Sequence, residues 1–87
     1  MAYRLKLRPQ AIKALKKIPE PDRVRIGRKI DALADDPRPE GVKKLQGADD
    51  LYRIRVGDYR VIYLIHDDIL LVLVLRVGHR KDIYREN

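Results

Sequence analysis

The hydrophobic period of this chain changes from helical to alternating at Leu51, and that change decides what it can fold into. Between Pro9 and Ala34 the apolar residues recur at helical spacing; from Leu51 onward they alternate as in strands. A chain whose two helices are followed by an unbroken run of strands builds an α+β layer pair, not an alternating α/β fold. Within the helical part, Ala11, Ala14, Leu15 and Ile18 share one side, with Lys13, Lys16 and Lys17 on the other. Pro9 stands where a first helical turn tolerates proline. Pro19-Glu20-Pro21 breaks that helix and opens a second, whose apolar face is Ile26, Ile30 and Leu33, flanked by Val24 and Ala34. Two helices so joined make an antiparallel hairpin, which Asp35-Asp36-Pro37-Arg38-Pro39 ends.

Strand alternation marks Tyr3–Leu7 ahead of the helices, and Leu51–Val56, Tyr59–His66 and Ile69–Val77 after them. Gly57-Asp58 fits a two-residue hairpin turn with glycine first, and Asp67-Asp68 a second, less ideal one. The last strand, apolar on both faces, belongs inside the sheet. Glu40–Asp50 reads as a loop carrying a basic patch, Lys43-Lys44. The expected architecture is β-α-α-β-β-β: an N-terminal strand and a helical hairpin packed on a largely antiparallel four-stranded sheet, as one domain over residues 1–87. With no Trp and no Phe, its core is aliphatic and thin, edged by tyrosine.

The Gly57-Asp58 turn also fixes a register. Val56 pairs with Tyr59, Arg55 with Arg60, Ile54 with Val61 and Arg53 with Ile62. Side chains alternate across a sheet, so Tyr52, Ile54, Val56, Tyr59, Val61 and Tyr63 take the helices. Arg53, Arg55 and Arg60 share the opposite, solvent-open face. Like charges set directly opposite one another destabilise a sheet by about 0.2–1 kcal/mol. A bound phosphate, held by several guanidinium forks, offsets that repulsion; the alternative is a solvated face on which arginine is merely tolerated. The same reading places Arg60 opposite Leu75, so the tail VGHRKDIYREN leaves the sheet beside the arginines with His79, Arg80, Lys81 and Tyr84. A tyrosine among basic residues can stack on a base.

Charge points the same way. Twenty Lys+Arg against thirteen Asp+Glu leave a formal +7, a balance that favours a polyanionic partner: nucleic acid, an anionic membrane or an acidic protein. Cysteine is absent, which removes disulfides and thiolate metal sites. The longest apolar run, Ile69–Leu75, is too short to span a bilayer. Met1–Ile18 mixes Arg, Lys and Pro into its apolar residues and does not read as a secretory signal. A cytoplasmic protein is expected.

The layout, and above all LYRIRVGDYRVIY followed by VLRVGHRKDIYRE, resembles the RelE/ParE superfamily of toxin–antitoxin toxins, on the RelE side. The resemblance covers essentially the whole chain, including the KKLQG lead-in. It implies a basic, metal-independent endoribonuclease that enters the ribosomal A site. There the 2′-hydroxyl of the message attacks the adjacent phosphate. By position, the family's functional residues become Arg53 and Arg55, Arg60, Arg80 and Tyr84. The roles that follow are charge neutralisation by Arg60 and Arg80, base stacking by Tyr84, and backbone binding by Arg53 and Arg55, helped by Lys43, Lys44 and Lys81. Relatives often carry lysine where this chain has Arg53 and Arg55. Arginine stays protonated and is a poor base: either base catalysis is weak and electrostatics dominate, or another group supplies it, with His79 the best candidate, against a plainly solvated tail histidine; His66 reads as a turn residue. The implied partners are an acidic RelB-like antitoxin, in a hetero-oligomer, and the ribosome with its message. Two other functions compete: a ParE-like inhibitor of DNA gyrase without nuclease activity, and a non-catalytic RNA-binding module.

Overall fold

The computed structural model describes residues 2–47 and 50–79. Its elements are β1 (Arg4–Leu7), α1 (Pro9–Lys16), α2 (Glu20–Ala32), β2 (Lys43–Lys44), β3 (Leu51–Val56), β4 (Tyr59–His66), a single 3₁₀ turn (Asp67–Ile69) and β5 (Leu71–His79). The strands form one sheet in the order β1-β5-β4-β3-β2. β1 runs parallel to β5, and the other neighbours are antiparallel. The α+β class and the strand–helix–helix–strand order match the expectation from the sequence.

The sheet has five strands and not four, because Lys43 and Lys44 pair with Arg53 and Tyr52. Two consecutive lysines carry no local strand signal; the pairing comes from the free edge that β3 offers them. β5 is interior, as its apolar composition requires, although the middle strand is β4.

Each helix starts at a proline break. Pro9 opens α1, and Pro19 precedes α2 with Glu20 and Asp22 in its first turn, where acidic groups suit the helix dipole. Glu20 and Pro21 thus belong to α2, and the connection between the helices is Lys17–Pro19. α1 lies on β5 and α2 on β3. Ile26, Ile30 and Leu33 are buried while Val24 is exposed. They meet Tyr52, Ile54, Val61, Tyr63, Val72 and Val74 from the sheet in one core. Fully burying side chains of this size is worth roughly 1.5–3 kcal/mol each.

Two corrections concern the β4–β5 connection. It is not a two-residue Asp67-Asp68 turn. The 3₁₀ turn and Leu70, at φ 51°, lengthen it so that His66 pairs with Leu71. Asp67-Asp68 lacks the glycine of the favoured two-residue turns, and the longer connection puts a positive φ at Leu70 instead. Further along, Tyr63 pairs with Val74 but Ile62 with Arg76, so Leu75 is an extra residue, a β-bulge. Arg60 therefore lies opposite Gly78, not Leu75.

Candidate functional site

The β3–β4 register is the one the Gly57-Asp58 turn requires: Arg55 faces Arg60, Arg53 faces Ile62, and Val56 faces Tyr59. Gly57 sits at φ 61°, as the first position of a type II′ turn demands. Burial confirms the two faces. Tyr52, Ile54, Val56, Val61 and Tyr63 are buried under the helices, while Arg53 is half-buried and Arg55 exposed on the opposite face.

Arg60 is on that second face but is not open to solvent, which corrects the expectation. It is 2% exposed, with Nε and Nη1 sealed from water. Its strand is the middle one, so Arg55 and Gly78 flank it from both sides. A guanidinium in such a place is held in a fixed direction and, in a low local dielectric, attracts an anion more strongly than a solvated one does.

Arg76 is the residue that sequence reasoning missed. Strict alternation would set it beside Val72 and Val74 in the core, where an unpaired cation costs several kcal/mol, on the order of what buried ions cost elsewhere. The bulge at Leu75 rotates it onto the arginine face opposite Ile62 and returns Val77 to the core. A charged residue at a core position of an otherwise apolar strand was the available signal. Lys43, paired with Arg53, extends the same face from the sheet edge; Lys44, paired with Tyr52, falls on the other. Arg4 and Lys6, paired with Leu71 and Leu73, add charge at the far edge.

His79 pairs with Tyr59, and its ring meets that tyrosine edge-on at 5.7 Å between centroids. Tyr59 belongs to the helix side, so the register does not bring His79 to the arginines. His66, half-buried, closes β4 at the other end of the sheet. Arg80, Lys81 and Tyr84 lie outside the described residues.

At the same end as His66, a polar clamp ties the loop after α2 to the sheet. Arg38 donates to both carboxylate oxygens of Asp67, at 3.1 and 2.7 Å, and through Nε to the Tyr52 hydroxyl at 3.3 Å. Its guanidinium carbon also stands 5.2 Å from the centroid of the Tyr52 ring, which stacks on Tyr63. The Tyr3 hydroxyl donates to Asp67 at 2.6 Å, and that of Tyr63 to the Pro37 carbonyl at 2.7 Å. Arg38 and then Tyr3 hold the Asp67 carboxyl down, from 3.8 to about 2. The bond to Asp67 pushes the Tyr3 hydroxyl up, and burial does the same to Tyr63. Here an arginine has its own carboxylate; the clamp is structural.

Among the described residues no helix is long and apolar enough to cross a membrane.

Comparison with known proteins agrees with this geometry. Residues 5–84 match the family described as the ParE toxin of type II toxin–antitoxin system, parDE. The mRNA interferase toxin RelE of Escherichia coli K12 is 32% identical over 90 residues, covering 99% of this chain and 94% of that protein. Among solved structures, the archaeal RelE–RelB complex from Pyrococcus horikoshii OT3 contains a chain with TM-score 0.82 and 38% identity, over 92% of this chain and 97% of that one. The isolated E. coli RelE toxin has TM-score 0.79 and 31% identity, over 98% and 94%. The chain belongs to the RelE/ParE superfamily of type II toxin–antitoxin toxins, as a RelE-like member.

Proposed function

We propose that this toxin is an mRNA endonuclease that works in the ribosomal A site, in the cytoplasm. The observation that carries the reading is the single sheet face shared by Arg53, Arg55, Arg60 and Arg76, with Arg55 directly opposite Arg60. The E. coli relative is named an mRNA interferase, which supports it. In this reading the 2′-oxygen of one nucleotide bonds to the adjacent phosphorus, and the bond to the next nucleotide's 5′-oxygen breaks. The products are a 2′,3′-cyclic phosphate and a 5′-hydroxyl; the 2′-hydroxyl proton leaves to water, and the departing oxygen takes one up.

The guanidinium groups contribute fixed positive charge where negative charge grows on the phosphoryl oxygens, the effect that usually dominates such catalysis. They do not act as bases. In this reading Arg60 faces the phosphorus, and Arg53 and Arg55 hold the backbone. Because Arg60 is 2% exposed, binding of the message has to uncover it, so catalysis and docking are coupled. Arg80 is assigned to the leaving oxygen, Tyr84 to stacking on a base, and Lys43 and Lys81 to the flanking backbone; Lys44, which the register turns to the other face, is left out. The net charge of +7 and the RelE–RelB complex among the similar structures support a second assignment, an acidic RelB-like antitoxin that binds the toxin.

Purified toxin added to ribosomes programmed with a defined message tests the reading. Cuts within the A-site codon, with 5′-hydroxyl downstream ends, are expected; an intact message at saturating toxin overturns it. The match to the ParE model keeps gyrase inhibition as a second reading. A supercoiling assay separates the two, since the nuclease reading expects gyrase to run unimpeded.

A further inference from the structure

Where α2 passes over the β3–β4 hairpin there is an open groove of about 460 Å³, lined by Arg25, Arg28, Lys29, Arg55, Val56 and Gly57. Positions 25, 28 and 29 follow the i, i+3, i+4 spacing, so α2 sets all three cations on one side, and all three are exposed. Like charges at that spacing weaken a helix, so the cluster is not there to stabilise α2. The ion pairs formed among the described residues are Arg23–Glu20 and Arg38–Asp67, and none of the four groove cations takes part in them.

The cluster reaches the hairpin turn: the Arg25 guanidinium lies against Gly57, whose glycine the turn itself requires at φ 61°. β2 pairs with β3 at Tyr52 and Arg53, and among the described residues no strand pairs with β3 on that side at Arg55. Arg55 stands at that edge. It belongs by register to the arginine face and also lines the groove.

We propose that this groove is a second RNA-backbone subsite, joined to the arginine face through Arg55, that holds phosphates flanking the one to be cut. It rests on the reading of the protein as an RNA-cutting toxin and extends that site round the sheet edge. Arginine forks match phosphate oxygens bidentately. No aromatic ring lines the groove, so it grips backbone and does not read bases. An open trough ringed by four cations suits a passing strand better than an enclosed small molecule, for which pockets are mostly apolar.

The test is a binding titration of the full chain with fluorescent heptauridylate, followed by anisotropy from 50 to 300 mM KCl, for the parent and the variant Arg28→Ala/Lys29→Ala. Alanine at exposed helical positions favours the helix, and Arg28→Gln/Lys29→Gln serves as a second variant should the first fail to fold. Each lost single-strand phosphate contact lowers the slope of log K against log salt by about 0.7. The variant is therefore expected to lose roughly 1.4 in slope and about ten-fold or more in affinity at the low-salt end. Perturbation of the Gly57 amide by the RNA in the parent, and its loss in the variant, is expected in parallel. Unchanged slope and affinity overturn the proposal. So does a variant that keeps RNA affinity but loses affinity for an acidic peptide, which assigns the groove to a protein partner. Binding is read apart from cutting. A parent that shows the slope yet leaves ribosomal message intact overturns the nuclease reading and leaves the groove standing.

Discussion

Arg38 joins three attractions at one guanidinium: a bidentate pair with Asp67, a hydrogen bond to Tyr52 and the face of the Tyr52 ring. Surface ion pairs alone contribute little, but this one is geometrically complete and anchors the loop that carries the carbonyl accepting from Tyr63. It also makes acid stability specific. The Asp67 carboxyl titrates at about 2 in the folded chain, against an ordinary 3.8. Its contribution is therefore present in full above the ordinary value and is lost as pH falls through the folded one. Urea midpoints measured at pH 7, 4 and 2 are expected to drop between pH 4 and 2 more for the parent than for Asp67→Asn. Parallel drops would mean that the clamp carries no such linkage. Nothing in the sequence around Arg38 marked it, because its partners stand 14 and 29 residues away.

At the scale of elements, the hairpin and the bulge show what local sequence can and cannot specify. The β3–β4 register was legible because Gly57-Asp58 leaves one loop length, and a fixed loop fixes every pair after it. The β4–β5 register was not, since it depends on where a long apolar strand resolves the placement of Arg76. The extra residue, Leu75, is what keeps Arg76 out of the core and Val77 in it. Deleting Leu75 leaves those two residues on their present faces in a regular ladder. The deletion variant is expected to remain folded, within about 2 kcal/mol of the parent in urea titration, the range of an ordinary single change. A chain that no longer unfolds cooperatively would contradict the bulge at this position. Lys43 and Lys44 were legible as charge but not as a strand, since a two-residue edge pairing is decided by its neighbour.

For the whole molecule, positive charge concentrates in two places that meet: the sheet face away from the helices, and the α2 groove that joins it at Arg55. The first was readable because it lies within one hairpin. The second was not, because it appears only once α2 is laid across β3, and the burial of Arg60 likewise appears only once β5 joins β4. Both follow from the order of strands, which a hairpin cannot announce. The account stands on the claim that Arg60, held in the sheet and uncovered when the message docks, faces an RNA phosphorus. Single-turnover cleavage of a ribosome-bound message by parent and Arg60→Ala, with urea midpoints showing both folded, measures that claim directly. The predicted result is a rate lower by ~10²-fold or more, the scale of removing one preorganised donor. Equal rates from two folded proteins would contradict it.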